Sequence, residues 1–209
     1  MTATSAELLT LSPVMPVVVI DEIAPAADVA KALLAGGITV IELTLRTPVA
    51  LRAIERIASE VPGIVVGAGT VTTPGQARQA ADAGAAFLVT PGCTEVLLAG
   101  ASDTGLPFLP GVATVSEAMR LAEHGLGSMK FFPAEASGGV AALRAIAGPL
   151  PDLRFCPTGG VTEHSAAGYL ALPNVGCVGG SWLTPRDAIA SRDWARIEKL
   201  AARARALAD

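Results

Sequence analysis

The stretch Ser128 to Glu135, SMKFFPAE, carries one lysine, Lys130, inside a short apolar run that reads as a buried β-strand. Lysine is among the residues least often fully buried. Of the 15 lysines and arginines only three are lysine, and the other two, Lys31 and Lys199, fall in helix-like segments where a solvated charge is the ordinary reading. An apolar, water-poor site destabilises an ammonium, and the neutral amine that results can attack a carbonyl. Arginine cannot be deprotonated to do the same, so a chain that otherwise favours arginine has a chemical reason to keep lysine here. Strand alternation brings Glu42 into the same picture. In Val40-Ile41-Glu42-Leu43-Thr44, Glu42 shares a face with Val40 and Thr44, and the greasier face of Ile41 and Leu43 should pack on helices. Lys130 shares a face with Ser128 and Phe132 by the same logic. An inward acid close to an inward amine is either a structural ion pair or the setting of an activated nucleophile.

Two paired-glycine loops form a second constellation, PTGGV (Pro157–Val161) and VGGSW (Val178–Trp182). Backbone N–H groups of such pairs can surround a phosphate, and Ser181 could add a hydroxyl donor. Tight turns need glycine in any case, so one pair alone would say little. Arg46, four residues past Glu42, has a fork that suits a substrate carboxylate. A rim arginine paired with a neighbouring acid is the other reading. Thr70, closing GAGT (Gly67–Thr70), could supply a further donor. Glu135 reads as a solvated loop acid. Cys93, Cys156 and Cys177 read as small core residues, with Cys93 just past a strand end and able to line a pocket.

The elements that must position these residues alternate along the chain. The pattern predicts strands at Val14–Ile20, Thr39–Leu43, Ile64–Gly67, Phe87–Thr90, Pro107–Leu109, Ser128–Phe131, Arg154–Pro157 and Val175–Val178, separated by Ala/Leu-rich segments of helical periodicity such as Val49–Val61. Thr47-Pro48, Thr73-Pro74 and Thr184-Pro185 each offer an N-cap followed by proline, and Thr114 with Glu117 a capping box. LLAGGITVIEL, AADAGAAFLVT and LAEHGLGSMKF each place a glycine between a helix and a strand, where a left-handed residue ends a helix. Eight such units in 209 residues, with no linker or break in composition, imply one α/β domain over residues 1–209. The expected fold is a (β/α)8 (TIM) barrel with a short extra N-terminal helix near residues 5–11; a doubly wound open sheet is the rival. In a barrel the strand ends form the active face, and the loops after the seventh and eighth strands are the usual phosphate site. These are the two paired-glycine loops.

Composition narrows the function classes. The net charge is −4, aromatics are 4% and no run of Lys or Arg occurs, so neither the electrostatic footprint nor the stacking platforms of a nucleic-acid binder are present. Three cysteines without CxxC spacing and two distant histidines, His124 and His164, argue against a disulfide framework or a metal site. The longest aliphatic run, PVMPVVVI, is too short for a bilayer and holds two prolines. The N-terminus lacks a basic region ahead of an apolar one. The expectation is a cytoplasmic protein with no membrane or nucleic-acid partner.

IELTLRT, GAGTV, TPGCTE, LPGVATVSE, MKFFPAE, RFCPTGGV and GGSWL resemble, in order and over nearly the whole chain, the motifs of the 2-keto-3-deoxy-6-phosphogluconate and 4-hydroxy-2-oxoglutarate aldolases. The resemblance implies a class I aldolase on a (β/α)8 barrel that forms a Schiff base, uses no metal or other cofactor and serves Entner–Doudoroff carbohydrate metabolism. It implies that Lys130 is the Schiff-base lysine and Glu42 the general acid/base. Arg46 and Thr70 match positions at the keto-acid carboxylate, Pro91 and Phe132 pocket-lining positions, and Thr158 a position beside the pyruvyl portion. Gly159, Gly160, Gly180 and Ser181 match the phosphate site. The implied partners are a phosphorylated keto-acid substrate and two further copies in a homotrimer. The chain departs from the family at Thr90-Pro91-Gly92-Cys93, where serine is common first and cysteine is absent last. Two other readings stay open: a phosphate-binding barrel lyase or isomerase without a covalent intermediate, and a non-catalytic barrel that binds a phosphorylated ligand.

Overall fold

The computed structural model describes residues 4–208. Strands β1 (Val14–Val18), β2 (Val40–Thr44), β3 (Val65–Gly69), β4 (Leu88–Val89), β5 (Phe108–Leu109), β6 (Gly111–Val112), β7 (Ser128–Phe131), β8 (Arg154–Pro157) and β9 (Val178–Gly180) pair in parallel. One run has the order β5-β4-β3-β2-β1-β9 and the other β6-β7-β8. The seam between β5 and β6 is Pro110. Proline has no N–H to give a ladder, so pairing with β4 stops at Leu109 and pairing with β7 starts at Gly111, while the Pro110 carbonyl still accepts from Lys130 N–H at 2.9 Å. At the other seam β8 meets the β9 segment through the bridges Phe155–Val175 and Thr158–Gly179. Joined at both seams, the sheet closes into the eight-stranded barrel the sequence predicts, with β5 and β6 as halves of one strand, and the open doubly wound sheet is set aside.

β1, β2 and β4 differ from the predicted bounds by one or two residues at an end, and three further strand ends involve glycine or proline. β3 runs on to Gly69, held by ladder pairs of Glu42 with Gly67 and of Thr44 with Gly69. The fifth strand continues past Pro110, and β9 covers Val178–Gly180 while Val175 makes one bridge only. In each case glycine and proline, poor strand formers by propensity, are kept extended by their neighbours.

Helices α1 (Ser5–Leu8), α2 (Ala26–Ala35), α3 (Ala50–Glu60), α4 (Pro74–Asp82), α5 (Glu95–Ser102), α6 (Val115–Glu123), α7 (Gly139–Ala147), α8 (Glu163–Leu170), α9 (Arg186–Ala190) and α10 (Trp194–Arg205) complete the alternation. Thr73 and Thr114 cap α4 and α6 in capping boxes with Gln76 and Glu117, as expected, and Gly37, Gly84 and Gly125 take the left-handed conformation at φ +85°, +86° and +79°. Two predicted caps fail. Thr47 instead donates its hydroxyl to the Ile20 carbonyl at 2.6 Å, tying the loop after β2 to the end of β1, and α3 begins three residues later. Thr184 precedes α9 without capping it, and its Oγ1 is buried with no partner among the described residues.

Two apolar layers result. The larger lies between barrel and helices. The smaller fills the barrel with Met15, Val40, Phe87, Val89, Leu109, Cys156 and Cys177, closed below by Leu8 and Leu9 of the α1 segment. Burying each such leucine contributes about 1.5–3 kcal/mol. Gly67 leaves the room Phe87 needs, because a Cβ there would collide with the edge of its ring. The α1 segment is tied to the barrel floor by Phe108 N–H donating to the Ser5 hydroxyl at 3.1 Å and the Thr39 hydroxyl donating to the Leu11 carbonyl at 3.1 Å. Among the described residues no helix is long and apolar enough to cross a membrane.

Candidate active site

Alternation along β2 and β7 turns Glu42 and Lys130 into the barrel, above the apolar plug. Lys130 Nζ lies 3.1 Å from Glu42 Oε1 and 3.4 Å from Oε2, with side-chain exposures of 6% and 1%. Gly69 makes this possible. A Cβ at that position would sit 2.6 Å from the Glu42 carboxyl carbon, so only glycine leaves the carboxylate its place. On the other side, Cys156 stands in register with Lys130 across β7–β8, and the Phe132 ring centroid is 5.5 Å from Nζ, within cation–π range. Desolvating two opposite charges is costly even when they pair. Moving one proton from Nζ to the carboxylate removes both charges at once and leaves a neutral amine beside a carboxylic acid. The pair therefore has a nucleophilic form within reach by a single short proton transfer.

Above the pair, the C-terminal ends of the strands open on a cleft of about 590 Å³ whose wall includes Arg46, Phe132, Thr158, Gly159, Gly160 and Ser181. Thr158 is buried, its hydroxyl donating to the Cys156 carbonyl at 3.3 Å. Gly159 and Gly160 are consecutive left-handed residues at φ +98° and +81°, a backbone route that other residues rarely follow. Neither donates its N–H to an acceptor among the described residues. The loop after β7 is laced to this one: Thr158 N–H donates to the Phe131 carbonyl at 2.9 Å, Ala134 N–H to the Thr158 carbonyl at 2.8 Å and Glu135 N–H to the Gly159 carbonyl at 3.1 Å.

Glu135 is more than the solvated acid its loop position suggested. The buried Tyr169 donates its hydroxyl to Glu135 Oε1 at 2.6 Å, and burial first, then that hydrogen bond, pushes the phenol well above its ordinary range. Across the cleft, Arg46 Nε donates to the Thr70 hydroxyl at 3.3 Å, and no carboxylate pairs with Arg46 among the described residues, which removes the rim ion-pair reading. Thr70 itself is left-handed at φ +58°. A non-glycine residue there costs on the order of 1–3 kcal/mol, a kind of strain that gathers at functional sites.

The remaining predicted residues take different places. The Pro91 backbone lies against Gly111, the partner of Lys130 in the β6–β7 ladder. Gly180 turns outward, where a Cβ would enter the Trp182 ring, and Gly179 takes the inward place next to Thr158. The paired glycines of β9 thus alternate as any strand does. Cys93 lies apart, in a hollow with Glu95, Ser116, Glu117 and Arg120, and burial pushes its thiol up to about 11. Cys156 and Cys177 are core residues, as their size suggested. Gly179, within the paired-glycine loop VGGSW, lines the cleft, and so do Thr184 and Arg186, which the sequence reading did not assign to the site; an arginine five residues past Ser181 was the available signal. Among the described residues no three of His, Cys, Asp and Glu gather in one place.

Comparison with known proteins identifies similar chains and folds. A family model described as "Aldolase: KDPG and KHG aldolase" matches residues 6–200. The chain is 55% identical over 199 residues to the 2-dehydro-3-deoxy-phosphogluconate aldolase of Dickeya dadantii (strain 3937), covering 95% of this chain and 93% of the relative. It is 53% identical, with the same coverage, to the KHG/KDPG aldolase of Escherichia coli (strain K12). Among solved structures, the KDPG aldolase of Legionella pneumophila, with pyruvate captured at low pH as a covalent carbinolamine intermediate, superposes with a TM-score of 0.95 at 45% identity, covering 98% of this chain and 100% of that one.

Proposed function

Because the chain belongs to the KDPG and KHG aldolase family, we propose that it is a class I aldolase that reversibly cleaves 2-keto-3-deoxy-6-phosphogluconate to pyruvate and glyceraldehyde 3-phosphate, with 4-hydroxy-2-oxoglutarate as a second substrate yielding pyruvate and glyoxylate. The observation that carries the proposal is the buried contact of 3.1 Å between Lys130 Nζ and Glu42 under a cleft walled by unpaired donors.

The cycle runs on these two residues. Glu42 takes a proton from Nζ, and the neutral amine attacks the C2 carbonyl to give a carbinolamine. Glu42 returns its proton to the departing hydroxyl, which leaves as water, and an iminium remains on Lys130. That cation is the electron sink, so the cycle uses no metal. Glu42, again a carboxylate, accepts the C4 hydroxyl proton as the C3–C4 bond breaks and the aldehyde leaves. The resulting enamine regains a proton at C3, and hydrolysis frees pyruvate. One carboxyl group serves every step because each returns it to the state the next requires. Arg46 and Thr70 hold the keto-acid carboxylate, and Thr158 and Phe132 flank the pyruvyl portion. Gly159, Gly160 and Ser181 hold the phosphate, far from the reacting bond, where binding energy goes into orientation.

We assign the enzyme to the cytoplasm, consistent with three cysteines left as thiols, and take the barrel as a single domain. A homotrimer is the proposed assembly. Among the described residues the exposed large apolar side chains are Val96 on α5 and Val115 and Met119 on α6, and exposed apolar groups suit an interface.

The test is borohydride reduction in the presence of pyruvate, read by intact and peptide mass spectrometry. Wild type should carry one reduced pyruvyl group, on Lys130, and Lys130→Arg none, with turnover lost. Folded wild type that gives no adduct, or a Lys130→Arg enzyme that still turns over, would end the Schiff-base reading.

A further inference from the structure

Two arginines line the cleft, Arg46 and Arg186, and among the described residues no carboxylate is part of its wall. Their places differ. Around the barrel the order is β8, β9, β1, β2, so Arg46, after β2, stands on the far side of β1 from the loops that follow β8 and β9. Arg186, the first residue of α9, belongs to the segment that carries Ser181 and adjoins Gly159–Gly160. Its side chain is exposed and pairs with no acid among the described residues. Arg186 also borders a second hollow of about 210 Å³ that contains Asp21 and Glu22, yet neither carboxylate engages it. A free guanidinium beside two glycines with open N–H groups and a serine hydroxyl is a donor set that matches a phosphate dianion.

We propose that Arg186 binds the terminal phosphate of the substrate and sets the preference for phosphorylated over unphosphorylated 2-keto acids. This rests on the aldolase reading above and adds to it a specificity-determining residue. The glycine loop and Ser181 supply neutral donors, whereas Arg186 supplies the charge, so its loss should fall on phosphorylated substrate alone.

The experiment compares wild type, Arg186→Ala and Arg186→Lys with 2-keto-3-deoxy-6-phosphogluconate and with 4-hydroxy-2-oxoglutarate. Arg186→Ala should lower kcat/KM roughly 10- to 100-fold for the phosphorylated substrate, mainly through KM, and less than about twofold for the other, as expected for a charge-assisted hydrogen bond made to one of them. Arg186→Lys should recover part of the loss. A similar fall with both substrates, or none with the phosphorylated one, overturns the assignment. Arg186 could instead merely screen Asp21 and Glu22 from the phosphate. In that case adding Asp21→Asn and Glu22→Gln to Arg186→Ala would restore the preference, and restoration likewise overturns the proposal. Pyruvate trapping on Lys130, which involves no phosphate, separates the two levels. Wild type that fails to trap sinks the aldolase reading, whereas trapping without a selective Arg186 effect sinks only this one.

Discussion

Replacing Gly69 with alanine tests whether catalysis depends on where Glu42 sits or merely on its presence. The added Cβ would lie 2.6 Å from the Glu42 carboxyl carbon and 2.5 Å from its Cγ, against about 3.4 Å for ordinary contact. Glu42 Oε1 is nearer still, so the carboxyl must retreat by about 1 Å, and it can do so by rotating its own side chain without moving backbone. The fold should survive. Overpacking of this kind costs about 1–3 kcal/mol, a fall in Tm of roughly 2–12 °C for a chain of this size. Activity should suffer more. A misplacement near 1 Å can cost about 10²-fold, which is about 2.7 kcal/mol of transition-state stabilisation. The assay is kcat on the phosphorylated substrate beside thermal unfolding of the same sample. A Gly69→Ala enzyme that is folded and turns over within about threefold of wild type would refute the claim that Glu42 must stand against Nζ.

Glu42→Gln should still accumulate the pyruvyl adduct under borohydride but cleave about 10²- to 10⁴-fold more slowly, the usual contribution of a positioned acid/base; unimpaired cleavage removes Glu42 from the cycle. Tyr169→Phe deletes the 2.6 Å hydrogen bond to Glu135 and should cost about 1 kcal/mol, less than a fully buried bond to a charge because Glu135 is reached by water. It should also change the alkaline limit of stability. The folded state keeps the Tyr169 proton beyond the ordinary phenol value of 10.0, where the unfolded chain gives it up, so wild type loses stability as pH rises above that value and the variant lacks this loss. Parallel alkaline unfolding curves would show that the phenol does not contribute.

The inward pair was legible because alternation along a strand is a local rule that tertiary packing rarely breaks. Val40, Glu42 and Thr44 had one face available to them, and so did Ser128, Lys130 and Phe132. The left-handed glycines Gly37, Gly84 and Gly125 were legible for the same reason, since helix ends impose their own geometry. What escaped depended on partners distant in sequence. Thr47 resembled an N-cap until the Ile20 carbonyl, brought near by barrel closure, took its hydroxyl. Glu135 resembled a loop acid because nothing local announces Tyr169. The split at Pro110 and the extension of β3 to Gly69 follow from which neighbour pairs with each residue, and a propensity scale carries no such information. The paired glycines of VGGSW were read together as one phosphate loop, while the pleat assigns Gly179 and Gly180 to opposite faces. Arg186 was overlooked as one more basic residue at a helix start.

The hydrogen bonds that lace the loop after β7 to the loop after β8 make the site a ruler. Thr158, Ala134 and Glu135 join the strand that carries the nucleophile to the loop assigned to the phosphate, so the amine and the anion site belong to one braced piece of backbone. The span between them is set by strand spacing and cannot be adjusted by a loop moving alone. A phosphorylated substrate one carbon longer or shorter would seat its phosphate or present its carbonyl, but could not do both, and the barrel would sort phosphorylated keto acids by length before any side chain inspected their hydroxyl groups.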